Sequence, residues 1–177
     1  KAFEEHEGEE LTYLPMGDSL AEGFAASTDK NAYVNVLSKL LEDKMGFSVN
    51  MDRSLTKSGM GVKNGALPNK EHIKEVQPDL VTIEYGTNDS NSAAEAYATT
   101  KEFGQSLTEL IEYIRENSKD TEIILISTWR DVPADYDNVM KSVAKNNEVP
   151  FVNLYNIKSR SDVVDTTIKV NQVTFHI

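Results

Sequence analysis

The chain has 177 residues, a formal net charge of -11 and no cysteine. That length suits one domain with a substantial core, and the acidic balance argues against a nucleic-acid-binding surface, which is usually basic, and against anionic membranes as partners. No apolar run is long enough for a transmembrane helix, and without cysteine neither disulfides nor thiol chemistry arises, although this leaves the compartment open.

Residues 1–10 are charged and poor in apolar side chains, so they read as a solvated leader. A start at Lys1 rather than Met has the look of a mature or trimmed chain. The expectation is a secreted or cell-surface protein after removal of an N-terminal segment, with a cytoplasmic one as the alternative. Residues 11–177 read as one domain. Leu11 to Met16 is an apolar run that predicts a first strand, and Gly17-Asp18-Ser19-Leu20 follows as a turn. From Asn31, Tyr33, Val36, Leu37, Leu40 and Leu41 recur at helical spacing up to about Lys44, and Gly46 ends the helix.

A second strand-like run begins near Ser48 and leads to Ser58-Gly59-Met60-Gly61. Leu80 to Tyr85 reads as a buried strand and is followed by Gly86-Thr87-Asn88-Asp89. Phe103, Leu107, Leu110, Ile111 and Ile114 predict a helix from Ala93 or Thr99 to Asn117. Glu122 to Thr128 reads as a strand, Ala134 to Asn147 as a helix, and Phe151 to Leu154 as a strand opened by Pro150. Ser159 to Asp165 reads as a loop or short polar helix. Alternating strands and helices predict a three-layer α/β/α sandwich around a mainly parallel, flavodoxin-like sheet of about five strands.

In such sheets ligands bind outside the carboxyl ends of the strands. Ser19 stands at the first of these ends, where Asp18 and Ser19 also suit a plain helix cap. Attack by a serine hydroxyl on an acyl carbon creates a negative oxygen, and preorganised donors aimed at that oxygen are usually the largest catalytic contribution. The backbone N–H groups of Ser19 and Gly59 and the side-chain amide of Asn88 are three candidate donors. A turn at Gly59 and an Asx-turn or cap at Asn88 are the alternative structural readings. Asp18 and Asp89 read as braces of their turns.

Gly17-Asp18-Ser19-Leu20, Ser58-Gly59 and Gly86-Thr87-Asn88-Asp89 resemble the first three sequence blocks of the SGNH hydrolases, or GDSL lipases and acylhydrolases, in order and spacing. The resemblance runs from about Leu11 to Asn153. It implies a serine esterase with Ser19 as nucleophile, an oxyanion hole of Ser19, Gly59 and Asn88, and a small-molecule ester substrate, either a lipid or an acylated carbohydrate. It implies no cofactor. The residues themselves show no metal-ligand spacing, and a carboxylate at the first turn would repel the phosphate of a flavin.

The family's C-terminal Asp-x-x-His block is not intact. Only His176 lies near the C-terminus, and Val173 stands three residues before it. Three readings are open. The chain is truncated before the genuine block; or His176 is the base of a Ser-His dyad, oriented by a carbonyl or by Asp162 or Asp165; or the chain is a noncatalytic module that keeps the fold. His72 reads as a residue of a polar helix face and His6 as part of the leader. Glu84, an acid inside an apolar strand, calls for a partner such as Lys57 or Arg130, or lines the pocket. Trp129 and Arg130 follow the fourth strand and are candidates for the pocket rim, offering a stacking face and an anion partner.

Overall fold

The computed structural model describes residues 6–129, 134–154, 167–170 and 173–176. Its centre is a five-stranded, all-parallel sheet of β1 (Glu10–Gly17), β2 (Ser48–Met51), β3 (Leu80–Glu84), β4 (Glu122–Ile126) and β5 (Phe151–Val152), in the order β2-β1-β3-β4-β5. This is the flavodoxin-like order, and it places the switch in winding direction between β1 and β3. Every residue of β3 is buried, as a strand covered on both faces requires.

Side chains alternate between two cores. Leu14 and Met16 of β1 pack with Val81 and Ile83 of β3 on one face, beneath α4 (Thr100–Asn117) and α5 (Ala134–Asn146). Leu11 and Tyr13 point the other way, toward Val34, Leu37 and Leu41 of α2 (Tyr33–Met45). The three layers expected from alternating strands and helices are therefore present. Phe103, Leu107, Leu110, Ile111 and Ile114 form the buried stripe of α4, and full burial of each such side chain contributes about 1.5–3 kcal/mol.

Local chemistry sets the ends of the elements. Sequence periodicity left the start of α4 at Ala93 or Thr99. A reciprocal cap decides for Thr99: its hydroxyl accepts from the Glu102 N–H at 3.3 Å, and the Glu102 carboxylate accepts from the Thr99 N–H at 2.9 Å. Within the segment read as a solvated leader, the Gly8 N–H bonds to the Gly46 carbonyl at 2.9 Å, the Ser48 N–H bonds to the Glu9 carbonyl at 2.7 Å, and the His6 ring stacks on Phe47. Glu10 is the first residue of β1.

A short helical stretch at Val62–Ala66, another at Leu67–Asn69 and α3 (Glu71–Val76) link the Gly59 loop to β3. A separate antiparallel hairpin of β6 (Thr167–Val170) and β7 (Val173–His176) lies outside the main sheet and was not foreseen from sequence. Ser159 to Asp165, with Asp162, falls outside the described residues. No helix among the described residues is long and apolar enough to cross a membrane.

Candidate active site

Ser19 opens a four-residue helix, α1 (Ser19–Glu22), directly at the end of β1. Asp18 caps it, its Oδ1 accepting from the Leu20 N–H at 3.1 Å. The cap and the candidate nucleophile thus coexist in one turn. Gly17 has to be glycine here because a Cβ would stand 2.6 Å from Ala21 Cβ and 2.9 Å from the Glu84 carbonyl.

The second segment runs alongside the end of β1. The Gly17 N–H bonds to the Leu55 carbonyl at 3.2 Å, and the Lys57 N–H bonds to the Gly17 carbonyl at 3.1 Å. Beyond it the chain turns through Gly59 at φ 79°, in the left-handed region that glycine enters without penalty. Glu22 on α1 ties this loop down, its Oε2 accepting from the Ser58 N–H at 2.7 Å and from the Ser58 hydroxyl. Arg53 reinforces the same corner by donating to the Glu22 carbonyl at 2.6 Å and to Asp29 at 2.8 Å.

The third segment leaves β3. Asn88 Nδ2 donates to Asp18 Oδ2 at 3.2 Å and to the Met60 carbonyl at 3.0 Å. Both partners are pure acceptors, so the amide nitrogen must face them. Asn88 therefore bridges the Ser19 turn and the Gly59 loop, and in this arrangement both of its N–H groups are taken. The N–H groups of Ser19 and Gly59 have no acceptor among the described residues. Asp89 is fully buried; it accepts from the Val62 N–H and the Gly86 N–H, each at 3.0 Å. It braces the loop, and burial pushes its carboxyl up to about 6 against the pull of those bonds.

Two expectations need correction. Glu84 does not pair with Lys57: it is buried, and neither carboxylate oxygen has a conventional hydrogen-bond partner among the described residues. Arg130, the other expected partner, lies outside those residues. What faces Glu84 is another acid, Asp18, and burial followed by the Asp18 charge holds the Glu84 carboxyl well above the usual carboxylate range. Burial also raises Asp18. Second, His72 is half-buried rather than lying free on a polar face, with Nε2 2.7 Å from Asp52 and Nδ1 3.2 Å from Glu75. These contacts hold its pKa above the ordinary imidazole value.

Among the described residues, the Ser19 hydroxyl meets only Asp18, donating to Oδ1 at 3.5 Å. His176 closes β7 opposite Thr167, and its side chain, like Asp165, lies outside the described residues. Trp129 is half-buried just after β4, at the same carboxyl edge of the sheet as Ser19 and Asn88. Sequence reasoning missed Glu22 and the Met60 carbonyl. Glu22 stands three residues after Ser19 in the same short helix, a spacing that puts its carboxylate on the same face as the serine, but nothing in the sequence shows that Ser58 meets it.

A serine, two backbone donors unengaged among the described residues and a bridging asparagine at the switch point of a flavodoxin-like sheet define the architecture of an SGNH-type α/β hydrolase. The chain belongs to the GDSL-like lipase/acylhydrolase family, whose model matches residues 16–167. That match includes Ser19, Gly59 and Asn88 and ends before His176. A search of curated protein sequences finds no match. Among solved structures the fold is similar to that of TesA, at 21% identity over 87% of this chain and 85% of that one with a TM-score of 0.71. It is also similar to AlinE4, an SGNH-hydrolase family esterase, at 19% identity over 93% and 89% with a TM-score of 0.70. Axe2, an acetylxylan esterase from Geobacillus stearothermophilus, matches at 23% identity over 85% and 79% with a TM-score of 0.65.

Proposed function

We propose that this hydrolase is a serine esterase that cleaves carboxylic esters through an acyl-enzyme on Ser19. The observation that carries the reading is the convergence of three chain segments on one turn: Ser19, whose N–H has no acceptor among the described residues, the Gly59 N–H held by the Glu22–Ser58 contacts, and Asn88 spanning both. Ser19 Oγ attacks the ester carbonyl, and its proton passes to a base and from there to the departing alcohol. The tetrahedral oxygen takes hydrogen bonds from the Ser19 and Gly59 N–H groups, and Asn88 joins them by exchanging the Met60 carbonyl for the oxyanion. Water then attacks the acyl-enzyme by the same route in reverse.

His176 is the proposed base, since imidazole alone among side chains has an unperturbed pKa near 6.5, suited to this proton transfer at neutral pH. The substrate is a small ester, either a lipid or an acylated carbohydrate, and the acetylxylan activity named for the similar Axe2 supports the second. Trp129, half-buried at the carboxyl edge, would offer its ring face to an acyl chain or sugar.

One observation favours a noncatalytic or weakly active binding module instead: among the described residues the Ser19 hydroxyl meets the Asp18 carboxyl and no imidazole. Hydrolysis of a short-chain nitrophenyl ester by the wild type, Ser19→Ala and His176→Ala separates the two. The esterase reading expects turnover that both substitutions abolish. An inert wild type supports the module, and equal rates for wild type and Ser19→Ala remove Ser19 as nucleophile.

A further inference from the structure

We propose that Glu84 is a positioning residue for this acyl transfer: as an uncharged acid it donates a hydrogen bond to Asp18, and through Asp18 it fixes both the Ser19 turn and the Asn88 amide. The inference rests on the esterase reading and adds to it a residue behind the nucleophile.

The backbone register brings the two acids together. Gly17 of β1 is paired with Glu84 of β3, and because Gly17 has no side chain the Glu84 carboxyl can lie against the turn. A Cβ on Gly17 would stand 3.3 Å from Glu84 Oε2. Asp18 and Glu84 are respectively 0% and 2% exposed, so both are shut off from bulk water.

Two buried carboxyl groups in contact need a proton between them, and the other partners of Asp18 say which group carries it. The Leu20 N–H donates to Asp18 Oδ1, the Asn88 amide donates to Oδ2, and the Ser19 hydroxyl donates weakly to Oδ1. Asp18 is an acceptor in every one of these contacts. Neither Glu84 oxygen has a hydrogen bond of conventional geometry among the described residues, and the Asp18 backbone N–H is the one backbone donor near them, against three donors on Asp18, which makes Glu84 the acid of the pair. Burial and the charges of Asp18 and Asp89 act in the same sense, while Tyr33 and Tyr85 beside it bring hydroxyls and no cation. A neutral Glu84 also removes one negative charge from the surroundings of an oxygen that becomes negative during the reaction.

Glu84→Gln keeps a donor of the same shape, and Glu84→Met removes it at similar volume. With folding checked by near-ultraviolet circular dichroism, the Met variant should lose about 100-fold in kcat with KM nearly unchanged, the scale of a small misplacement of reacting groups. The Gln variant should stay within about threefold of wild type, on the same reasoning that its donor is retained. An infrared difference spectrum of wild type minus Glu84→Gln at neutral pH should show a protonated carboxyl band.

A folded Met variant with wild-type kcat would overturn the inference, as would a Gln variant as impaired as Met, or a difference spectrum with carboxylate bands only. The infrared measurement needs no turnover. A wild type that hydrolyses no ester would overturn the acyl-transfer reading and Glu84's part in it, whereas a missing acid band in an active enzyme would overturn Glu84 alone.

Discussion

Acidification from neutral pH should stabilise this protein, and Asp89 gives the magnitude. Its carboxyl titrates near 3.8 in an unfolded chain and at about 6 in the fold, where burial outweighs the hydrogen bonds from Val62 and Gly86. Between those values the folded state holds a proton that the unfolded state has released. The contribution is therefore fully present below about pH 4 and disappears as pH rises through 6.

Roughly two decades of proton affinity correspond to about 3 kcal/mol in full, and about 1.4 kcal/mol of that falls between pH 7 and pH 5. Asp18 and Glu84, also raised, act in the same direction. The carboxyls held low by partners, Glu22, Asp29, Asp52 and Glu102, oppose it, but only as pH falls to their ordinary range and below. Urea unfolding followed by the fluorescence of Trp129, the only tryptophan, should give a higher midpoint at pH 5 than at pH 7. Asp89→Asn should lower stability throughout, because an amide cannot accept from both N–H groups, and should flatten the slope between pH 4.5 and 6.5. Wild-type stability that is level or lower at pH 5, or an unchanged slope in the variant, would refute the reasoning.

Replacing Glu22 by Ala should free the Ser58 loop and lower kcat about tenfold while leaving the far-ultraviolet circular dichroism unchanged, measured by steady-state hydrolysis. Gly59→Ala meets no atom within 4 Å, so its cost is the left-handed backbone, about 1–2 kcal/mol in thermal or urea unfolding. A shift of that loop should take about 10- to 100-fold from kcat. His72→Gln should leave ester hydrolysis at the wild-type rate. It should reduce stability at pH 6 and have a smaller effect at pH 9, because the ion pairs of His72 stabilise the fold below the unfolded imidazole value and vanish as pH rises through the raised one. Melting temperatures at the two pH values check this.

Sequence carried the local features furthest. The apolar run of β3, the stripe of α4 and the three glycine-bearing turns have signals within a few residues of themselves, and each appears where its pattern placed it. What it could not carry were contacts between segments distant in the chain. Glu84 is an oddity in an apolar strand until the β1–β3 register sets it against Asp18, and no pattern within Leu80 to Tyr85 distinguishes an acid awaiting lysine from one that keeps its proton.

Asn88 shows the same limit in another way. Its place after β3 was legible, but the Met60 carbonyl that shares its amide is a backbone group with no signature in the sequence. His72 looked exposed because its helix is polar, and the half-buried pairing with Asp52 comes from the chain just after β2. The β6–β7 hairpin joins Thr-Ile-Lys-Val to Val-Thr-Phe-His, and although both alternate apolar and polar residues, four residues apiece are too few for the pattern to stand out.

The covalent chemistry of Ser19 can be read by intact-mass spectrometry after incubation with a small organophosphonate. A single adduct is expected, mapped by peptide digestion to the segment containing Ser19 and absent from Ser19→Ala. A protein that takes up no label, or an adduct that persists in Ser19→Ala, would contradict it.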